Sequence, residues 1–189
     1  LAAHFHRLGL RPRQRAVFQL PNGIEFLAAF LALLRAGVIP VMALPSHRQS
    51  EIVHYVGSAE ASCLLIPDRI KDFDFRQMAD AVRAEAPSLR KVLVLGEARQ
   101  QDISLAGLMA SAAGHDDLAA IERTELDPGD VALMLLSGGT TALPKLIPRT
   151  HNDYAASYKR AAEITNLSRD SVMGIAIPVG HNFALSSPG

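Results

Sequence analysis

The sequence predicts an α/β fold with largely parallel sheets layered with helices, and three observations support this. Apolar segments of about five residues alternate with amphipathic segments of about ten to fourteen, the lengths of buried strands and surface helices. Helices of that length between strands favour parallel pairing. The chain has 189 residues and is 49% hydrophobic, enough for one domain with a core of its own.

The elements follow one another in a regular order along the chain. Strands are predicted at residues 16–20, 38–44, 63–66, 92–95, 131–136 and 172–177. Helices are predicted at residues 1–8, 23–36, 50–61, 75–86, 104–113 and 150–165. Residues 115–130 are polar and are expected to cross the surface.

Several helix and strand boundaries carry their own signals. Gly9 and Gly37 stand where a helix needs a C-terminal glycine. Asn22 precedes a helix with Glu25 three residues later, a variant of the capping box. Pro40 lies inside a predicted strand and therefore predicts an edge position or a bulge.

The composition excludes several classes of protein. Lys plus Arg and Asp plus Glu each number 19, so no net charge directs the chain to nucleic acid or to an anionic membrane. Cys63 is the one cysteine, which excludes an internal disulfide or a cysteine zinc site. The apolar residues 24–36 are too few to span a bilayer. With no signal peptide at the start, a cytoplasmic protein is predicted.

Both ends of the sequence have the character of a cut chain. The chain begins without Met, inside a predicted helix whose Leu1, Phe5 and Leu8 share one face. It stops in a turn signal at residues 186–189. A domain truncated at both ends is therefore expected.

Residues 137–145, which read SGGTTALPK, follow a buried strand and predict a phosphate-binding loop. Two glycines let backbone N–H groups approach an anion, two threonines add hydroxyl donors and a lysine adds positive charge. The donors of this loop are Gly138, Gly139, Thr140, Thr141 and Lys145. It is not a Walker A loop, because Pro144 replaces the required glycine. On composition alone, a Gly-Thr-rich turn with a surface lysine explains it equally well.

The order of residues in this loop resembles the phosphate-binding signature of the adenylate-forming superfamily, which includes acyl-CoA synthetases, luciferases and peptide-synthetase adenylation domains. The continuation LIPRTHNDY at residues 146–154 resembles the aryl-acid adenylating enzymes of siderophore biosynthesis. The segments QLPN at 19–22 and LLRAG at 33–37 also match. Ala142 stands where the family usually has glycine, at a cost on the order of 1 kcal/mol if φ is positive there.

A second segment, HNFALSSPG at residues 181–189, resembles the acid-binding motif of the same family. His181 is implied at the junction of phosphate and carboxylate, and Asn182 can hydrogen-bond an ortho hydroxyl without repelling the acid. Phe183 would form an aromatic wall for the ring. Ser187 favours 2,3-dihydroxybenzoate, because salicylate-activating relatives tend to have cysteine there. Taken alone, a histidine near a strand end is more often structural.

The resemblance implies part of the large N-terminal domain of an adenylating enzyme, without the small C-terminal domain. The implied reaction uses ATP and Mg²⁺ to form an aryl-adenylate and passes the acyl group to the phosphopantetheine thiol of a carrier protein. His181 and Lys145 are the implied catalytic residues. The alternatives are a catalytically silent fragment that binds phosphate weakly, a ligase for salicylate or another acid, and an unrelated nucleotide-binding α/β protein with a convergent loop.

Other polar residues have simpler explanations in the sequence. The remaining histidines fit no metal-binding spacing and are expected at the surface or partly buried, as follows: His4, His6, His47, His54 and His115. Thr150 with Asp153 predicts a helix start. Arg149 is expected to be solvated. Without a G-x-S-x-G motif, a serine hydrolase has no support.

Overall fold

The computed structural model describes residues 1–138 and 143–186. Its strands are β1 Arg15–Phe18, β2 Ile39–Met42, β3 Cys63–Pro67, β4 Arg69–Ile70, β5 Phe73–Asp74, β6 Lys91–Leu95, β7 Ile103–Ser104, β8 Val131–Leu136 and β9 Leu146–Thr150. Its helices are α1 Ala2–Arg7, α2 Ile24–Arg35, α3 Gln49–Ser58, α4 Phe75–Glu85, α5 Leu105–Ala110, α6 His115–Glu122, α7 His151–Ile164 and α8 Asn182–Ser186.

Within the described residues, seven strands form one sheet in the order β7-β6-β3-β1-β2-β8-β9. Every pair in it is parallel except β8 with β9, which run antiparallel. Strands β4 and β5 form a separate short hairpin. The predicted α/β class with a largely parallel sheet is confirmed, whereas the antiparallel strand β9 was not predicted.

Helices cover both faces of the sheet, so the strands contribute to two separate cores. In β1, Phe18 faces the core that contains α2, while Val17 faces the core of α3 and α4. The same alternation continues in β3, where Leu65 and Leu64 face opposite sides. Because both faces are buried, these strands are continuously apolar rather than alternating in polarity.

Pro40 does not mark an edge, contrary to the prediction, because β2 lies between β1 and β8. The N–H of Ile39 donates to the Gln14 carbonyl, and that of Ala43 donates to the Phe18 carbonyl of β1. Because successive N–H groups along a strand point to opposite neighbours, the nitrogen of Pro40 faces β8. On that side β2 meets β8 through one registered pair, Val41 with Met134. The missing donor therefore falls on the weaker of the two pairings.

The two predicted glycine caps are confirmed. Gly9 and Gly37 have φ of +83° and +69°, values that L-residues rarely adopt. The capping box at the start of α2 was wrong, since the N-cap residue is Gly23 and it makes no side-chain cap bond. The side chain of Asn22 instead bonds to a distant segment that forms part of the candidate site.

The secondary structure of two other regions was not predicted correctly, although residues 115–130 lie largely at the surface as expected. Residues 115–130 contain the helix α6, whose first turn holds Asp116 and Asp117, favourable charges at a helix N-terminus. Residues 172–177 are not a strand, because no described strand lies beside them, and Val172 is 99% exposed. In the described part of the chain, no helix has the length and apolar character required to cross a membrane.

Candidate functional site

A cleft of about 240 Å³ lies beyond the carboxyl ends of β2 and β8, where parallel α/β sheets commonly bind ligands. The end of β8 leads into the predicted phosphate loop, and residues 180–182 form another wall. The lining residues are Met42, Leu44, His47, Leu135, Leu136, Ser137, Gly138, Pro144, Gly180, His181 and Asn182. The cleft thus unites the two sequence motifs, which are more than 35 residues apart along the chain.

The base of the phosphate loop is closed by two hydrogen bonds between its ends. Ser137 donates its N–H to the Lys145 carbonyl at 2.9 Å, and its Oγ accepts the Lys145 N–H at 2.9 Å. Gly138 has open space around the position of a Cβ, so its backbone is accessible. Lys145 is exposed and its side chain does not line the cleft. Gly139, Thr140, Thr141 and Ala142 lie outside the described residues.

His181 is held in one orientation by the backbone of neighbouring residues. The ring Nδ1 accepts the backbone N–H of Phe183 at 3.2 Å, and the backbone N–H of His181 donates to the Pro178 carbonyl at 3.0 Å. An imidazole whose Nδ1 accepts a hydrogen bond carries its proton on Nε2 when neutral. His181 therefore lines the cleft as a donor, which suits an anionic ligand.

Asn182 contacts α7, the helix that follows β9. Its Oδ1 accepts the hydroxyl of Tyr154 at 3.5 Å, which leaves the amide N–H groups as donors. Burial raises the pKa of Tyr154 to about 12, so that hydroxyl keeps its proton at neutral pH. Phe183 is 66% exposed and does not line the cleft. Ser187 lies outside the described residues.

Two amide side chains from the segment after β1 fasten two walls of the cleft. The fully buried Gln19 donates from Nε2 to the carbonyls of Leu44 and His47, at 2.9 and 3.0 Å. Asn22 donates to the Ile177 carbonyl at 2.9 Å and accepts the Val179 N–H at 2.8 Å. The QLPN segment, noted in the sequence only for its resemblance, thus holds together the segments that carry His47 and His181.

Two histidines without an assigned role lie at or behind the cleft. His47 is half-buried and lines the cleft directly. His54 on α3 hydrogen-bonds through Nε2 to the carbonyl of Pro144 at 3.1 Å, and so ties the loop to the helix. The ring of Tyr55 stands edge-on to both imidazoles, with centroids 5.3 and 5.8 Å away. No sequence signal distinguishes these histidines, because their roles depend on contacts across the sheet edge.

The residues at the start of α7 have a structural role, as predicted. Thr150 is the N-cap residue, and its Oγ1 accepts the Asp153 N–H at 3.1 Å. Arg149 does not stand free in solvent: its guanidinium pairs with Asp153, donates to Ser157 at 2.9 Å, and lies 5.3 Å from the centre of the Tyr154 ring. The guanidinium beside Asp153 lowers the pKa of that carboxyl.

Among the described lining residues of the cleft there is no carboxylate. Nowhere in residues 1–138 and 143–186 do three His, Cys, Asp or Glu side chains converge as metal ligands do. A larger groove of about 570 Å³ between α2 and α7 is lined mainly by apolar side chains. The described polar side chains of that groove are His151, Tyr154 and Tyr158, whereas the smaller cleft joins the ends of both sequence motifs and is the better candidate for an anionic ligand.

Known proteins are similar to this chain in sequence over its whole length. The family model described as AMP-binding enzyme matches residues 1–188. The chain is 44% identical over 189 residues to the 2,3-dihydroxybenzoate-AMP ligase of Bacillus subtilis, covering 100% of this chain and 33% of that protein. It is also 44% identical over 188 residues to the salicyl-AMP ligase / salicyl-S-ArCP synthetase of Mycobacterium tuberculosis, covering 100% of this chain and 32% of that one.

A solved structure is similar over the same extent. The apo structure of Mycobacterium smegmatis MbtA superposes with a TM-score of 0.90 at 41% identity, covering 100% of this chain and 34% of that chain. The chain thus spans about a third of the length of the relatives it matches. A convergent loop on an unrelated protein is excluded, and the chain belongs to the AMP-binding enzyme family.

Proposed function

We propose that the full-length protein containing this chain activates an aromatic acid with ATP to form an aryl-adenylate, with 2,3-dihydroxybenzoate as the preferred acid. The observation that carries the proposal is the shared cleft, in which Ser137 and Gly138 meet His181 and Asn182. Phosphate donors and acid-binding donors must lie side by side for a carboxylate to reach a phosphorus atom.

The proposed chemistry needs no protein nucleophile. A carboxylate oxygen of the acid attacks the α-phosphorus of ATP, an acyl C–O–P linkage forms, and the bond from phosphorus to the pyrophosphate oxygen breaks. Backbone N–H groups of the loop and the Nε2–H of His181 stabilise negative charge in a preorganised site. The side chain of Lys145, exposed in this structure, is proposed to close on the phosphates, and the loop donors are proposed to include Gly139, Thr140 and Thr141.

The second proposed step transfers the acyl group to a carrier protein. The thiol of its phosphopantetheine arm loses its proton to solvent and attacks the acyl carbon, a thioester forms, and AMP leaves with the electrons of the broken C–O bond. A relative that is named salicyl-S-ArCP synthetase supports a carrier protein as the partner. Involvement of Mg²⁺ and a cytoplasmic location stay predictions from the sequence.

The choice of acid depends on two side chains of the proposed pocket. The amide of Asn182, with its oxygen occupied by Tyr154, can donate to an ortho hydroxyl of the substrate. Ser187 would pair with the 3-hydroxyl of 2,3-dihydroxybenzoate, with Phe183 beside the ring. Relatives named for dihydroxybenzoate and for salicylate are equally similar at 44%, so salicylate is the alternative substrate.

The test is exchange of labelled pyrophosphate into ATP by the purified full-length protein. We expect exchange that depends on added 2,3-dihydroxybenzoate, less with salicylate, and none with benzoate lacking the ortho hydroxyl. Absence of exchange with every hydroxybenzoate would contradict the proposed function. A catalytically silent protein with weak phosphate binding is the second candidate, and it predicts retention of pyrophosphate without exchange.

A further inference from the structure

His47 occupies a position in the cleft that neither sequence motif explains. It lies in the connection between β2 and α3, half-buried, and lines the same cavity as Ser137, Gly138 and His181. The connection is rigidly held, because the buried amide of Gln19 donates to two carbonyls within it, those of Leu44 and His47. A side chain on such a support keeps its orientation when a ligand enters.

The hydrogen bonding of His47 defines which nitrogen carries the proton. Its Nδ1 accepts the N–H of Leu44 at 3.0 Å, the same arrangement that His181 makes with Phe183. The neutral ring therefore carries its proton on Nε2, and within the described part of the chain this nitrogen has no hydrogen-bond partner. Both imidazoles of the cleft are thus fixed as Nε2–H donors.

The surroundings favour a neutral donor at this position. Burial lowers the pKa of His47, the nearby Glu51 raises it, and Arg48 lowers it, with a net decrease from 6.5. The ring of Tyr55 packs edge-on against the imidazole, and burial raises the pKa of that phenol to about 12, so it adds no charge. A donor that is neutral before the ligand arrives avoids the cost of burying an isolated cation.

We propose that the Nε2–H of His47 binds the polyphosphate of ATP, from the β2–α3 side of the cleft that the phosphate loop also lines. This inference rests on the proposed function, which supplies ATP as the nucleotide. The phosphate end is favoured over the acid, because the ring of Tyr55 packs against both His47 and His54, and His54 hydrogen-bonds the Pro144 carbonyl of the phosphate loop. No acidic side chain is among the described lining residues to repel phosphate.

Two substitutions in the full-length protein separate the donor from the fold of the connection. His47→Asn places an amide oxygen near Nδ1, where it can still accept the Leu44 N–H, but removes the donor at Nε2. His47→Gln reaches as far as Nε2 and can restore a donor there. His115→Asn, at an exposed position on α6, is the matched control.

The readouts are the Kd for ATP, the KM values for ATP and for the acid, and the melting temperature. We expect His47→Asn to raise the Kd and KM for ATP roughly tenfold or more, as expected for one hydrogen bond to a charged group. The KM for the acid should change less than threefold. His47→Gln should recover part of the loss, and His115→Asn should match the wild type.

A measurement on the wild-type protein removes dependence on the variants. Diethylpyrocarbonate modification of the peptide containing His47, followed by mass spectrometry, should be slowed by ATP and by pyrophosphate alone, while modification of His115 stays unchanged. Absence of protection, an unaltered Kd for ATP in a folded His47→Asn protein, or an effect confined to the acid would each overturn the proposal. Failure of pyrophosphate exchange with intact ATP protection would instead count against the proposed function alone.

Discussion

Amide and imidazole side chains, rather than charged ones, set the geometry of the cleft. Gln19 donates to the connection after β2, and Asn22 both donates to and accepts from residues 177–179, so the short segment after β1 holds two loops that are far apart in sequence. In both His47 and His181, Nδ1 accepts a hydrogen bond from a backbone N–H, which leaves Nε2–H as a donor. A neutral lining of this kind binds an anion through directed donors, and preorganised donors cost little reorganisation during reaction.

At the same scale, Ser187→Cys in the full-length protein should move its preference from 2,3-dihydroxybenzoate toward salicylate. The hydroxyl of Ser187 would pair with the 3-hydroxyl that salicylate lacks, and a thiol is a weak partner for it. One neutral hydrogen bond contributes roughly 0.5–1.5 kcal/mol, so the ratio should change between a few-fold and about tenfold. Most of the change should appear as a lower kcat/KM for dihydroxybenzoate.

The comparison requires kcat/KM for both acids with both proteins. Ser186→Cys, one residue earlier, is a matched control, because the Ser186 hydroxyl donates to the backbone carbonyl of Asn182 at 2.7 Å. A wild-type protein that already prefers salicylate, or a ratio that stays constant, would remove the basis for choosing dihydroxybenzoate.

Among the elements, the parallel strands were the most predictable part of the fold. A strand such as β3 is apolar on both faces and is followed by a polar turn, so its position and burial follow from local sequence. Strand β9 was missed because it contains Pro148 and Arg149 and gains its structure from antiparallel pairing with β8. Residues 172–177 show the converse: their apolar pattern predicts a strand, but a strand also needs a neighbour.

The candidate site also contains residues that the sequence predicts and residues that it does not. His181 and Asn182 were predicted from a local motif, and the structure brings them beside Ser137 and Gly138. The positioning of His47 was not predictable, because it depends on a buried amide 28 residues away in sequence. Side-chain contacts of that kind leave no local periodicity or spacing in the sequence.

Helix α4 offers a test of electrostatics at the scale of an element. Asp74 is its N-cap residue: its carboxylate accepts the Arg76 N–H at 2.9 Å and pairs with the guanidinium groups of Arg76 and Arg69, at 2.8 and 3.2 Å. The hydrogen bond from the Arg76 side chain is the main reason why the pKa of Asp74 lies well below its usual value of 3.8. The ionised form of the Asp74 carboxyl is therefore favoured more in the folded protein than in the unfolded chain.

Asp74→Asn should consequently lower the free energy of unfolding by about 1 kcal/mol at pH 7, since the amide keeps a cap oxygen but loses the ion pairs. A depressed folded-state pKa contributes stability above the unfolded pKa of 3.8, and this is lost as pH falls toward the folded value. Urea denaturation should therefore show a smaller difference at pH 3 than at pH 7. Asp72→Asn, an exposed neighbour, should show little effect at either pH.

At the scale of the whole molecule, one face of the chain is unusually apolar for a surface. Helix α2 buries Phe26 and Leu33 against the sheet, yet Ile24 and Leu31 on its other side are 80% and 60% exposed. A helix that is hydrophobic around its whole circumference is typical of a buried position. The chain spans about a third of the length of its relatives, so this exposed apolar face is expected to pack against further residues of a longer protein.

A protein made of residues 1–189 alone should therefore be inactive in pyrophosphate exchange, although the same residues within the full-length protein should support it. The cleft contains the donors proposed for phosphate and acid but no carboxylate among its described lining residues, and the apolar groove between α2 and α7 is uncovered. Circular dichroism provides the control for folding, and pyrophosphate binding tests whether the cleft is formed. Exchange by the folded short protein at a rate near that of the full-length enzyme would show that residues 1–189 contain the complete catalytic site.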